Sequence, residues 1–166
     1  MKKSKKTTDL VITRTFDMPR ELIWKAWTNP TLFKLWWGPK GYHCPYCDID
    51  LKEGGTYLNC MKSPEGHKYW STGKYTEIKP LEKLVCTDSF ADEKGNVVSP
   101  SYYDIGEDFP LEMQLTMTLE GADGKTNMVL HHAGFPDEQM KKQAREGWNQ
   151  SFDKMAAKLK KRTQWS

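Results

Sequence analysis

From Pro136 onward the apolar residues fall into a helical period: Met140, Ala144, Trp148, Phe152, Met155 and Leu159 form one stripe, with Gly147, Ser151 and Ala156 beside it and Lys and Glu elsewhere. Such a helix runs about 25 residues, roughly 37 Å at the usual rise per residue. A face of that length must be buried against something, because isolated helices gain little stability on their own. The preceding segment supplies the surface. Leu111, Met113, Leu115, Met117 and Leu119 alternate with Glu112, Gln114, Thr116 and Thr118, the period of a strand with one dry and one wet face. Gly121 to Gly124 turns it into a return strand from Thr126 to His132.

The middle of the chain repeats this pattern. Cys47, Ile49 and Leu51 alternate with Asp48, Asp50 and Lys52, and Gly54-Gly55 turns the chain into Tyr57, Asn59 and Met61. With the tip at Glu53-Gly54-Gly55, the expected register pairs Leu51 with Tyr57, Ile49 with Asn59 and Cys47 with Met61, and sets Cys60 opposite Asp48. Ser63-Pro64-Glu65-Gly66 and Lys79-Pro80 are further turns, bounding strands over Tyr69 to Ile78 and Leu84 to Phe90. Before all of these, Phe16 to Gly41 carries four of the seven tryptophans in two short helical patterns. Pro19 suits the first turn of one helix, Asn29-Pro30 ends it and opens the next, and Gly38-Pro39 stops the second. The expected fold class is α+β: a curved antiparallel sheet of six or seven strands, two short helices, and one long C-terminal helix gripped by the sheet.

The order Phe-Asp-x-Pro-x-x-x-x-Trp-x-Ala-Trp-Thr from Phe16, then Trp36-Trp37-Gly38-Pro39, resembles the family named for activators of the ninety-kilodalton heat-shock protein ATPase, within the SRPBCC (START-like) superfamily of helix-grip folds. Asp50-Leu51-Lys52-x-Gly54-Gly55, Gly73 to Ile78 with Pro80, His132 to Pro136, and Gly147-Trp148 with Phe152 extend the likeness over roughly residues 8 to 160. The resemblance implies a cavity between sheet and long helix for a small apolar or amphipathic molecule. It also implies a possible chaperone partner. The family name describes eukaryotic members in which this domain accompanies a separate N-terminal domain; with about seven residues before the first strand, no such domain is expected here.

Composition narrows the function classes. Lys2, Lys3, Lys5, Lys6, Lys158, Lys160, Lys161 and Arg162 outnumber the formal charge of +3, so the rest of the chain is net acidic and basicity sits in the ends. That is not the basic, aromatic-interleaved face of a nucleic-acid binder. No run approaches the ~20 apolar residues of a membrane span, and MKKSKK leads into a strand pattern instead of a signal core, so a cytoplasmic setting is expected. The expected layout is a disordered basic tail over residues 1–7, one domain over 8–162 and a short tail over 163–166.

Residues expected at the cavity are Trp37, Tyr57, Asn59, Met61, Met113, Leu115, His132, Trp148 and Phe152. Asn59 and His132 stand out, because alternation places them among apolar neighbours, where a polar side chain needs a partner from protein, water or ligand. The long connection Ala91 to Asp108 bears Tyr102, Tyr103 and Ile105, which suit a lid. Cys44-Pro45-Tyr46-Cys47 is similar to a glutaredoxin tetrapeptide, yet the strand that follows leaves no helix N-terminus to lower a thiol pKa. In a straight strand these two cysteines lie on opposite faces, although Pro45 could bend them together. With Cys60 and Cys86 they are read as free thiols, with no metal site. No nucleophile elbow, phosphate loop or helical His-Glu-x-x-His occurs, and no cofactor is expected. The leading function is non-catalytic ligand binding. The alternatives are a co-chaperone-like interaction module and a cavity-based hydrolase or cyclase.

Overall fold

The computed structural model describes residues 7–106 and 109–163. The expected tails, 1–7 and 163–166, therefore lie almost wholly outside the described residues. Seven strands, β1 (Thr8–Phe16), β2 (His43–Ile49), β3 (Thr56–Lys62), β4 (Lys68–Lys79), β5 (Lys83–Ala91), β6 (Met113–Ala122) and β7 (Lys125–Phe135), form one antiparallel sheet in the order β1-β7-β6-β5-β4-β3-β2. The meander from β2 to β7 is joined at its far edge by β1. Helices α1 (Arg20–Thr28) and α2 (Pro30–Trp36) carry the chain from one sheet edge to the other, and α3 (Glu138–Thr163) lies along the concave face.

Local sequence explains each element. The Asn29 carboxamide oxygen accepts from the Thr31 N–H at 2.9 Å and the Leu32 N–H at 3.3 Å, so one residue ends α1 and caps α2. Pro19 precedes α1 as its cap and is not its first residue. Irregularities between His43 and Tyr46 and between Tyr75 and Glu77 interrupt the ladders, the local feature by which antiparallel sheets bend. Side-chain bonds hold α3 along both flanks. Arg14 reaches Asp153 at 2.6 Å on the β1 side, and Lys154 donates to the Tyr42 carbonyl at 2.9 Å on the α2 side.

The first hairpin differs from the expected register by two residues. Ile49 faces Tyr57, Cys47 faces Asn59, and Cys60 faces Tyr46 instead of Asp48. The strand ends at Ile49 because Asp50 to Gly55 forms a longer loop that pairs sideways with β4: Gly54 N–H donates to the Tyr75 carbonyl and Tyr75 N–H to the Gly55 carbonyl. Gly55 is required there, since a Cβ would stand 2.1 Å from the Asp50 carbonyl oxygen. A shift of two preserves the faces, so Cys47, Ile49, Tyr57 and Asn59 still point one way. Leu51 falls in the loop and is exposed. Leu111 likewise precedes β6, 56% exposed, although the alternation continues back to it.

Candidate functional site

Two voids lie on the concave face, the outer one under α3 and the inner one under α1 and α2. The inner one, about 30 Å³, is lined by Trp27, Phe33 and Trp37 from the helical segment and by Cys47, Tyr57, Asn59, Cys86 and Leu115 from the sheet. The outer one is about 510 Å³. Its sheet side presents Met61, Ser71, Asp88, Met113 and His132, and its helix side Ala144, Gly147, Trp148 and Ser151. Trp37 borders both.

The helix explains where the space is. Over the outer cavity the inward residues of α3 include Ala144, Gly147 and Ser151, too small to reach the sheet. One turn further on, Phe152, Met155 and Leu159 are fully buried. Phe152 stacks on Trp148 at 5.5 Å and lies 6.0 Å from Trp36, whose indole N–H donates to the Ala26 carbonyl at 2.9 Å. This aromatic block closes one end of the groove.

The expected site residues thus divide. Met61, Met113, His132 and Trp148 line the outer cavity, Tyr57, Asn59 and Leu115 the inner void, and Trp37 both. Phe152 is at neither, being part of the packed block. Of the loop residues, Ile105 lines the outer cavity together with Phe109. Tyr103 anchors the loop: its hydroxyl donates to the Ala91 carbonyl and accepts from the Trp70 N–H at 3.1 Å. Tyr102 points away, 61% exposed.

Asp88 was not foreseen, although a signal exists. The alternation that turns Leu84, Cys86 and Phe90 toward the helix carries Asp88 with them, an acid on an otherwise apolar face. Its carboxylate Oδ1 lies 3.0 Å from the Tyr57 hydroxyl, whose single proton is shared between that oxygen and the Thr87 carbonyl at 2.9 Å. Gly73 permits this arrangement, because a Cβ there would stand 2.7 Å from the Tyr57 hydroxyl oxygen and 1.9 Å from the Thr87 carbonyl oxygen. Burial pushes the Asp88 carboxyl up to about 6, opposed by the Tyr57 hydrogen bond. The 23% of its side chain still exposed faces the cavity it lines.

His132 completes a polar line across the outer cavity. The Trp148 indole N–H, a donor only, donates to His132 Nδ1 at 3.2 Å, which fixes the neutral ring with its proton on Nε2. Charging the ring would place a proton on Nδ1 and break that bond. Burial acts in the same sense, holding the His132 pKa down at about 4. Nε2 stands 3.9 Å from Asp88 Oδ2, too far for a hydrogen bond, and is buried without a partner. Although that distance would admit an ion pair, burial disfavours the charge on each group, so it is not one. The other buried polar atoms lacking a partner among the described residues, Trp27 Nε1, Trp37 Nε1 and Asn59 Oδ1, all belong to residues of the inner void.

The cysteines carry a different message. Burial raises the Cys44 thiol to about 11 and the Cys47 thiol to about 12, the opposite of an activated thiolate. The ladder is irregular between His43 and Tyr46, around Pro45, so the two cysteines do not sit on the straight strand that would part them. Among the described residues no group of three or more His, Cys, Asp or Glu side chains is placed to hold a metal ion.

A curved antiparallel sheet closed over one long helix, with a hollow between them, defines the helix-grip class. The chain belongs to the family described as activator of Hsp90 ATPase homolog 1-like proteins, whose model matches residues 17–160. Among solved structures it is similar to a protein of Nitrosomonas europaea, 24% identical with a TM-score of 0.76, covering 93% of this chain and 96% of that one. A family protein from Silicibacter pomeroyi is 25% identical with a TM-score of 0.72, covering 92% and 97%. A protein from Arthrobacter aurescens is 22% identical with a TM-score of 0.77, covering 96% of this chain and 90% of that one. Comparison with curated proteins gives no match.

Proposed function

We propose that this protein is a non-catalytic carrier or sensor of a small amphipathic molecule, held in the outer cavity between β-sheet and α3. The supporting observation is the cavity itself: about 510 Å³, within the range of small-molecule sites, apolar over most of its wall, with a few convergent polar groups at Asp88 and His132. The apolar body of the ligand rests against Met61, Met113 and Trp148, and its polar atom meets His132. Asn59, Tyr57 and Leu115, at the inner void, and Phe152, in the packed block, act by shaping the walls. Ile105 closes the outer side, with Tyr103 as the anchor of its loop and Tyr102 outside the contact. The cytoplasm suits this role, and no helix among the described residues is long and apolar enough to cross a membrane.

Native mass spectrometry of the protein purified from its own host tests the reading. A retained small molecule, and a melting temperature that rises with its concentration, are the expected results. A ligand-free mass together with no thermal shift across a panel of amphipathic compounds would sink it. The family's description favours a second reading, a co-chaperone-like module; stimulation of the ATPase rate of the host's own ninety-kilodalton chaperone by the ligand-free protein is its test.

A further inference from the structure

The polar line through the outer cavity has an opening of a particular chemical kind. His132 Nδ1 is occupied by the Trp148 N–H, so Nε2 presents a donor; Asp88 Oδ1 is occupied by Tyr57, so Oδ2 presents an acceptor. These free atoms are 3.9 Å apart, and Nε2 is buried without a partner. An oxygen about 2.8 Å from each closes the triangle with ordinary hydrogen-bond lengths. That oxygen has to donate to one neighbour and accept from the other. A hydroxyl does both. A ketone or ether oxygen accepts from Nε2 but gives Oδ2 nothing, and an ammonium serves Oδ2 while pointing its remaining donors at the donor Nε2–H.

Charge argues in the same direction. No Lys or Arg is among the described residues lining the outer cavity, so a ligand carboxylate would meet the Asp88 carboxyl without a cation to balance it. The surroundings of the pair are apolar on the side away from Tyr57: Met113, Phe135 and Trp148 stand around it, with the His132 and Phe135 rings 4.6 Å apart. We propose that the outer cavity selects an uncharged hydroxyl compound, a phenol or alcohol on an apolar frame, whose hydroxyl donates to Asp88 and accepts from His132. This rests on the reading of the cavity as a ligand site and adds the class of ligand.

Four matched probes separate the two statements. Calorimetric titration at pH 8 with 2-naphthol, 2-methoxynaphthalene, naphthalene and 2-naphthoate keeps the apolar frame constant while changing the polar atom. The naphthol is expected to bind roughly tenfold more tightly than the ether or the hydrocarbon, the worth of one well-placed pair of hydrogen bonds. The naphthoate should be weakest. Asp88→Leu should erase the naphthol preference and leave naphthalene affinity in place, and Asp88→Asn should improve naphthoate binding. Equal affinities of wild type for naphthol, ether and naphthalene would overturn the hydroxyl assignment and leave an apolar cavity standing, and so would naphthoate binding tightest. Failure of the folded wild type to bind any of the four would remove both.

Discussion

The two voids on the concave face share a sheet and a tryptophan, yet one holds about 30 Å³ and the other about 510 Å³. The difference lies in what faces the sheet. At the inner end α1 and α2 bring Trp27 and Trp36 down onto Phe152, with Phe33 against Trp36, and rings fill the groove. At the outer end α3 offers Ala144, Gly147 and Ser151, and the sheet answers with Asp88 and His132 instead of apolar bulk. Packing is thus the business of one end of the groove, and open space bordered by two titratable side chains is that of the other.

The largest test of that contrast is truncation on α3. Phe152→Ala removes a ring enclosed on all sides and should lower stability by about 3–5 kcal/mol. Trp148→Ala, although it deletes more atoms, borders space that already exists and should cost less than Phe152→Ala. Urea midpoints measure both. Equal losses would mean that the two ends are packed alike.

Next in size is a pH effect that the wild type conceals. His132, held neutral with its pKa down at about 4, contributes stability that is full above its ordinary value near 6.5 and is lost as pH falls toward 4. Asp88 runs the other way: its folded pKa is raised to about 6, so its contribution is full below its ordinary value near 3.8 and is lost as pH rises through 6. Each amounts to about 3 kcal/mol at 1.36 kcal/mol per unit, and over pH 4 to 6.5 they nearly cancel. Asp88→Asn should therefore lose stability on acidification relative to wild type, and His132→Gln should gain it. Parallel stability curves for all three proteins would show that neither group is as enclosed as described.

Asn59→Leu probes the inner void. Asn59 is 1% exposed and its Oδ1 has no partner, so an apolar replacement should leave stability unchanged or raise it by about 1 kcal/mol. A loss of several kcal/mol would indicate that Asn59 is satisfied in solution. The smallest expected effect is none: near pH 6, iodoacetamide should label neither Cys44 nor Cys47 rapidly, because burial holds both thiols protonated.

The ease of reading these parts from sequence follows the same divide. The long stripe of α3 and the alternation of β6 are periodic over many residues, and periodicity survives local irregularity. The hairpin register depended on one loop, and the tip of that loop, Gly54 and Gly55, bonds to Tyr75 of β4, a partner distant in sequence. His132 and Asn59 were legible as polar exceptions on apolar faces. Asp88 was equally an exception, on a strand where Val85 and Ser89 are buried as well, which blurs the inward and outward faces. That Phe152 packs while Trp148 borders a cavity is set by α1 and α2, and no pattern within α3 reveals it.

Trp37 gives the groove a property that neither void has alone. One indole walls both, stacked on Phe33 at 4.8 Å and set edge-on to Trp36 at 5.6 Å and Trp148 at 5.3 Å. A substitution that shifts this indole would reshape both spaces at once, because a close-packed ring cannot move without its neighbours. The interior of this small domain is in that sense one vessel of two compartments with a common wall.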